Sequence, residues 1–201
     1  GMALATLTKG PVGFAVPLIA AVLYLTWTRR WSEYWQKGFP VAGMLLFFLL
    51  AAPWYAAMFI VHGDAYASGA KVHTIGRFLS PMEGHYGTIF FYFPVLLIGF
   101  FPWSALLPIP LYHTLKDWYL IRRGRTEPRS TATSELDLFS ALWVVGVFLF
   151  FTASSTRLPH YIGPLFPAAA ILTASPRAAR SWRDGSVRRK RTSTTTAAGW
   201  W

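Results

Sequence analysis

Hydrophobic residues in this chain come in long runs separated by short polar stretches. Four runs, residues 3–25, 39–61, 89–112 and 138–155, meet or approach the length of a membrane crossing. A hydrocarbon core about 30 Å thick needs roughly 20 apolar residues in a helix. A fifth run, residues 159–175, is shorter and carries Pro159, Pro164 and Pro167, which predicts a kinked short span or a re-entrant segment. Helix is the expected state, because lipid offers backbone amides no hydrogen-bond partners. The pattern predicts an all-α, polytopic integral membrane bundle of about five helices.

The polar stretches set the orientation. Arg29, Arg30 and Lys37 lie between the first two spans, and Lys116, Arg122, Arg123, Arg125 and Arg129 between the third and fourth. Arg177, Arg180, Arg183, Arg188, Arg189, Lys190 and Arg191 follow the fifth. In an alternating topology these 15 of the 19 Lys and Arg fall on one side, which is therefore expected to be cytoplasmic. The stretches 61–88 and 155–161 are then external. Lys9, Lys71, Arg77 and Arg157 remain outside against that bias, accompanied by His62, His73, His85 and His160.

Composition agrees with a membrane protein. The chain has 201 residues, 54% hydrophobic and 17% aromatic, with only 13% charged, about half the charged share usual in a soluble domain. A formal charge of +11 raises the question of nucleic acid. The cations sit between apolar runs as membrane anchors do, so no nucleic-acid partner is expected. No cysteine is present, which excludes disulfides, thiolate metal sites and cysteine nucleophiles. No Asp, Glu, Lys or Arg occupies the middle of a span, which argues against an ion-coupled carrier.

The ends differ from the rest. Gly1 and Met2 lead straight into an apolar run with no basic leader, so the start does not read as a signal peptide. The chain is expected to be part of a longer protein whose N-terminal portion is missing. Residues 1–176 are expected to form the membrane domain, and 177–201 a basic, Ser/Thr-rich, disordered cytoplasmic tail attracted to anionic lipid.

Three constellations carry candidate chemistry. Leu7-Thr8-Lys9-Gly10-Pro11-Val12-Gly13 opens a helix end beside a cation, where backbone could approach a ligand; it equally reads as a snorkelling lysine. The external stretch places Arg77, whose fork suits phosphate, ahead of Glu83 and His85, an oxygen and an imidazole suited to proton transfer or a divalent metal. A solvated loop with Phe78 and Tyr86 dipping into lipid fits the same spacing. In Arg157-Leu158-Pro159-His160-Tyr161, proline holds Leu158 extended, which could present Arg157 and Tyr161 to one cavity. A plain interhelical turn fits as well. Ala52-Pro53-Trp54-Tyr55 and Phe101-Pro102-Trp103-Ser104 read as kinks and packing features.

Taken in order, Leu7-Thr8-Lys9-Gly10-Pro11, Ala52-Pro53-Trp54-Tyr55, Arg77-Phe78 with Glu83-Gly84-His85, Phe101-Pro102-Trp103 and Arg157-Leu158-Pro159-His160-Tyr161 resemble glycosyltransferase family 39 over residues 3–175. The resemblance leans toward the aminoarabinose-transferase branch rather than the protein O-mannosyltransferases, both of GT-C membrane fold. It implies an inverting sugar transfer from a polyprenyl-phosphate donor to a lipid or protein acceptor at the outer face of a bacterial inner membrane. It implies Lys9, Arg77 and Arg157 as the cations on the donor phosphate, and His85, Tyr161 and Glu83 as residues lining the active site. It further implies a divalent metal in some members, near His85. Arg157 stands where the family has lysine, keeping the charge but not the geometry. The family's catalytic aspartate lies in a first external loop ahead of Gly1, and neither Asp64 nor Glu83 matches it. These residues alone are therefore expected to be inactive. A transporter or flippase for a lipid-linked sugar, or a membrane scaffold, are the competing expectations.

Overall fold

Gly10 and Pro11 break the first apolar run into two helices. The structure, a computed structural model, describes residues 1–72, 76, 88–125 and 131–175. Every regular element among them is helical. Helix α1 covers Met2–Lys9 and α2 covers Val12–Thr28. Gly10 has φ 68 and ψ −158, and Pro11 offers no amide to continue the ladder. The expected single span over 3–25 is thus corrected: only α2 runs through the bundle, and α1 folds back beside it. Glycine makes that return possible, since a Cβ on Gly13 would collide with the Ala5 carbonyl and lie 2.7 Å from the Thr6 nitrogen.

After α2 the chain turns at Arg29, whose φ is 58, into α3, Trp31–Lys37, at 117° to α2. Helix α4, Pro40–Lys71, is long and apolar enough to cross a membrane. Pro53 sits within it, but the backbone departs from helical values at Gly63 (φ 50, ψ −129) instead. The expected external stretch 61–88 therefore begins as helix as far as Lys71. The third run differs most from expectation. Helix α5, Tyr92–Gly99, has only eight residues, about 12 Å at the helical rise. After Gly99 the chain bends by 119° into a second arm, which opens with a short turn at Trp103–Ala105 and continues as α6, Pro108–Arg122. Phe101-Pro102-Trp103 is thus a bend, and residues 89–112 are not one straight crossing. Helix α7, Thr131–Ala153, is the second single helix able to span a membrane, and α8, Leu165–Ala174, is short. Among the described residues two helices qualify as spans, or four if each bent pair counts as one.

The core lies where α2, α5, α7 and α8 meet, around Tyr92, Ala141, Val147, Phe151, Ile162, Leu165 and Ala169. Small side chains allow close approach, as at many membrane helix contacts. A Cβ on Gly146 would come within 2.9 Å of Leu23 and 3.0 Å of Ile19, so α7 presses on α2 there. By contrast, α4 touches the rest mainly through α1, with Ala51 buried, and meets the start of α2 where the Phe14 and Phe47 rings lie 5.1 Å apart. The Tyr55 hydroxyl donates to the Thr6 carbonyl at 2.9 Å. That oxygen belongs to the last turn of α1, whose carbonyls have no partner within the helix.

The two ends of the bundle differ in chemistry. At one end Arg30 meets Glu135 at 2.9 Å, Tyr24 donates to the same carboxylate at 3.4 Å, and Arg122 lies 5.8 Å over the Trp27 ring. Among the described residues, Arg30 at the end of α2 and Arg122 at the end of α6 thus lie at one end of the bundle, where the start of α7 contributes the Glu135 carboxylate. Arg30 and Glu135 keep 45% and 30% of their side-chain exposure, so solvent screens the pair. Glu135→Gln is expected to cost less than about 1 kcal/mol in thermal unfolding. At the other end lie Lys9, Gly10 and the stretch 154–161. The tail expected over 177–201 lies outside the described residues.

Candidate active site

Lys9 reaches its place through the local break. The helix must stop at Gly10, so Lys9 ends α1 at the turn, exposed and at the helix C-terminus where a cation is favoured. Across from it, α7 ends at Ala153 and the chain crosses to α8 through Arg157-Leu158-Pro159-His160-Tyr161. Leu158 is extended at φ −126, ψ 139, and Pro159–Ile162 forms a short 3-10 turn. The extended residue before proline is what steric contact with the ring demands.

This crossing is held from several sides. Trp143 donates its indole N–H to the Pro164 carbonyl at 2.9 Å, and Ser154 donates to the Thr156 carbonyl at 3.2 Å. Tyr92, fully buried, donates to the Leu158 carbonyl at 3.4 Å. Its ring lies 6.4 Å from Phe151, which in turn lies 5.5 Å from Tyr161, and His160 meets Tyr161 edge-on at 4.8 Å. A phenol that enters an apolar environment needs a partner for its hydroxyl. Tyr92→Phe should leave the Leu158 carbonyl without this donor and cost about 1 kcal/mol, seen as a fall of roughly 3 °C in melting temperature.

The two walls flank a half-open cavity of about 740 Å³. Lys9 and Thr8 line it from α1, Val12, Gly13 and Val16 from α2, and Trp143, Phe150 and Phe151 from α7. His160 and Tyr161 close the far side. An ammonium, an imidazole and a phenol therefore face one largely apolar chamber. Such a chamber suits an amphiphile with an anionic head, because low polarity strengthens a charge–charge contact.

Of the residues singled out from the sequence, Lys9 and Tyr161 come together in this cavity. Arg157 does not line it. Its Nη2 instead donates to the Thr152 carbonyl at 3.0 Å, on the last turn of α7. The expectation that Arg157 and Tyr161 face one cavity is corrected for the arginine: the guanidinium is drawn back to a helix-end carbonyl that lacks an intrahelical donor. Arg77, Glu83 and His85 lie outside the described residues, as does any metal that would draw on them. No group of three or more His, Asp or Glu side chains stands together among the described residues. His160, Tyr92 and Trp143 were not assigned roles from sequence. An indole and a phenol inside apolar runs were the available signal, but only contact across 21 and 66 positions shows what they bond.

No family model matches the chain. Its relatives are consistent nonetheless. It is 33% identical over 168 residues to an undecaprenyl phosphate-alpha-4-amino-4-deoxy-L-arabinose arabinosyl transferase of Edwardsiella ictaluri, covering 84% of this chain and 28% of that protein. The enzyme of the same name from Aeromonas salmonicida is 35% identical over 170 residues, covering 84% and 28%. The crystal structure of ArnT from Cupriavidus metallidurans bound to undecaprenyl phosphate superposes with a TM-score of 0.67 at 26% identity, covering 96% of this chain and 33% of that one. The resemblance is to the aminoarabinose transferases. The chain spans little more than a quarter of the length of these curated relatives. With two helices among the described residues long and apolar enough to span a membrane, or four if each bent pair counts as one, and with the likeness to ArnT, it is an all-α integral membrane segment of the GT-C type.

Proposed function

We propose that this chain forms part of an integral membrane glycosyltransferase that moves a sugar from a polyprenyl-phosphate donor to a lipid or protein acceptor. The observation that carries this reading is the shared cavity of Lys9, His160 and Tyr161, walled by Trp143, Phe150 and Phe151. The aminoarabinose transferases it resembles, and the undecaprenyl phosphate bound to the Cupriavidus ArnT, support the same assignment. The cavity end is the outer face of a bacterial inner membrane, and the arginine-rich end is cytoplasmic.

In this mechanism the polyprenyl tail follows the apolar helices and the phosphate enters beside Lys9. The bond between the sugar's anomeric carbon and the phosphate oxygen breaks while the acceptor oxygen attacks from the opposite side. The electron pair leaves with the phosphate, and the Lys9 ammonium offsets the charge that develops there. Aromatic walls exclude water and so protect the activated sugar from hydrolysis. Tyr161, which lines the same cavity, donates its hydroxyl toward that anion. Arg77 supplies the second cation from the external stretch. Arg157, bonded to Thr152, adds its charge from behind the wall and shapes the crossing. A hydroxyl acceptor gives its proton to a carboxylate base from the remainder of the protein, whereas a phosphate acceptor is already ionised. A divalent ion near Glu83 and His85 remains part of this proposal.

Membranes containing the full-length protein, incubated with polyprenyl-phosphate sugar labelled in the sugar, test the reading. Label covalently joined to an acceptor is the expected result. Movement of intact donor across the bilayer without transfer would instead identify a flippase.

A further inference from the structure

The end of the bundle opposite the cavity carries a second surface. Helix α3 has no buried residue, yet it bears Trp31, Tyr34 and Trp35, the last 57% exposed. Seven residues standing at 117° to α2 span about 11 Å, too little to cross a bilayer. Tryptophan and tyrosine on a segment lying across the end of a span are placed as such rings are at head-group depth. Cations surround them. The Arg122 guanidinium over Trp27 joins the end of α6 to the end of α2 in one patch. Arg123 lies 4.7 Å over the Tyr119 ring beside it. The carboxylates Glu33 and Glu135 both engage Arg30, at 3.4 and 2.9 Å. Arg30 with these two carboxylates keeps one net negative charge, outweighed by the exposed cations Arg29, Lys37, Arg122 and Arg123 at the same end of the bundle.

We propose that this patch binds the head groups of anionic phospholipids in the leaflet on that side. Guanidinium forks match phosphate oxygens, and basic pockets between membrane helices are suited to such head groups. The aromatic rings of α3 meet the glycerol and upper acyl region, which a soluble acidic protein would not supply. The inference requires only that α2 and α7 cross a membrane and is independent of transfer in the cavity.

The test uses the full chain in detergent, titrated with phosphatidylglycerol or phosphatidylcholine while thermal unfolding is followed. Phosphatidylglycerol should raise the melting temperature in a saturable way and phosphatidylcholine should not. Arg29→Gln, Lys37→Gln and Arg122→Gln together should weaken the apparent affinity roughly 100-fold, about fivefold for each cation. Removing the same number of charges from the tail (Arg188, Arg189 and Arg191 to Gln) should weaken it far less. If the triple patch variant does not fold, Arg29→Gln alone should show the fivefold loss. Equal response to both lipids, equal losses from patch and tail, or full stabilisation by glycerol phosphate would each overturn the proposal. So would binding of an acidic protein by a patch indifferent to phosphatidylglycerol.

Discussion

Gly13→Ala should destabilise the chain by about 3 kcal/mol or more, lowering the melting temperature in detergent by roughly 10 °C. The methyl group would drive into the Ala5 carbonyl and approach the Thr6 nitrogen at 2.7 Å. These are backbone atoms and cannot rotate away. Relief requires α1 to swing off α2, which moves Lys9 out of the cavity wall and pulls Thr6 from the Tyr55 hydroxyl. Gly43→Ala provides the comparison, since a Cβ there meets nothing within 4 Å and alanine favours helix. That variant should melt at or slightly above the parent temperature. Equal melting of the two would mean that close approach at Gly13 does not hold the hairpin.

Lys9→Ala, made in the full-length protein, should lower turnover by about two to three orders of magnitude, the range found when one donor to a developing oxyanion is removed. The loss should fall on kcat rather than on KM, because the phosphate gains charge mainly as the sugar departs. Lys9→Arg should recover part of it, as the charge persists while the point donor becomes a planar fork. Arg77→Ala should cost about two orders of magnitude on the same grounds. Unchanged turnover in membranes with equal protein abundance would remove either residue from the proposed site. A matching fall for Gly13→Ala at a temperature where it stays folded would tie the hairpin to the chemistry, since both changes displace the same ammonium.

The membrane character of the fold was legible because it depends on composition over long windows. Residues 39–61 and 138–155 are apolar enough that α4 and α7 follow from the cost of unpaired amides in lipid. Leu158 was legible as an extended residue because steric conflict with Pro159 is local. The extent of the breaks was harder to read, although Phe101-Pro102-Trp103 already read as a kink. Gly10-Pro11 and Phe101-Pro102 lie inside apolar runs, and hydropathy alone continues a helix straight through them. Pro53 and Gly63 show the other side of that difficulty: the proline is accommodated within α4, while the glycine takes the non-helical backbone.

Arg157 marks where sequence reasoning about the site reaches its limit. The family resemblance implied a phosphate ligand, and the residues alone fitted either a cavity wall or a plain turn, but the Thr152 carbonyl lies near enough to draw its guanidinium. Tyr92 illustrates the reverse, an unremarked position in an apolar run that bonds a residue 66 positions away.

By itself the sequence determined an all-helical membrane chain and the residue types available for binding an anion. Those properties follow from solvent transfer and charge, which each segment experiences largely on its own. Tertiary structure alone decided that Lys9, His160 and Tyr161 share a cavity and that Arg157 does not line it. Side chains some 150 positions apart meet only once α1 has folded back at Gly10 and α7 has pressed against α2 at Gly146. Such close packing is a property of two surfaces together, and neither segment carries it alone.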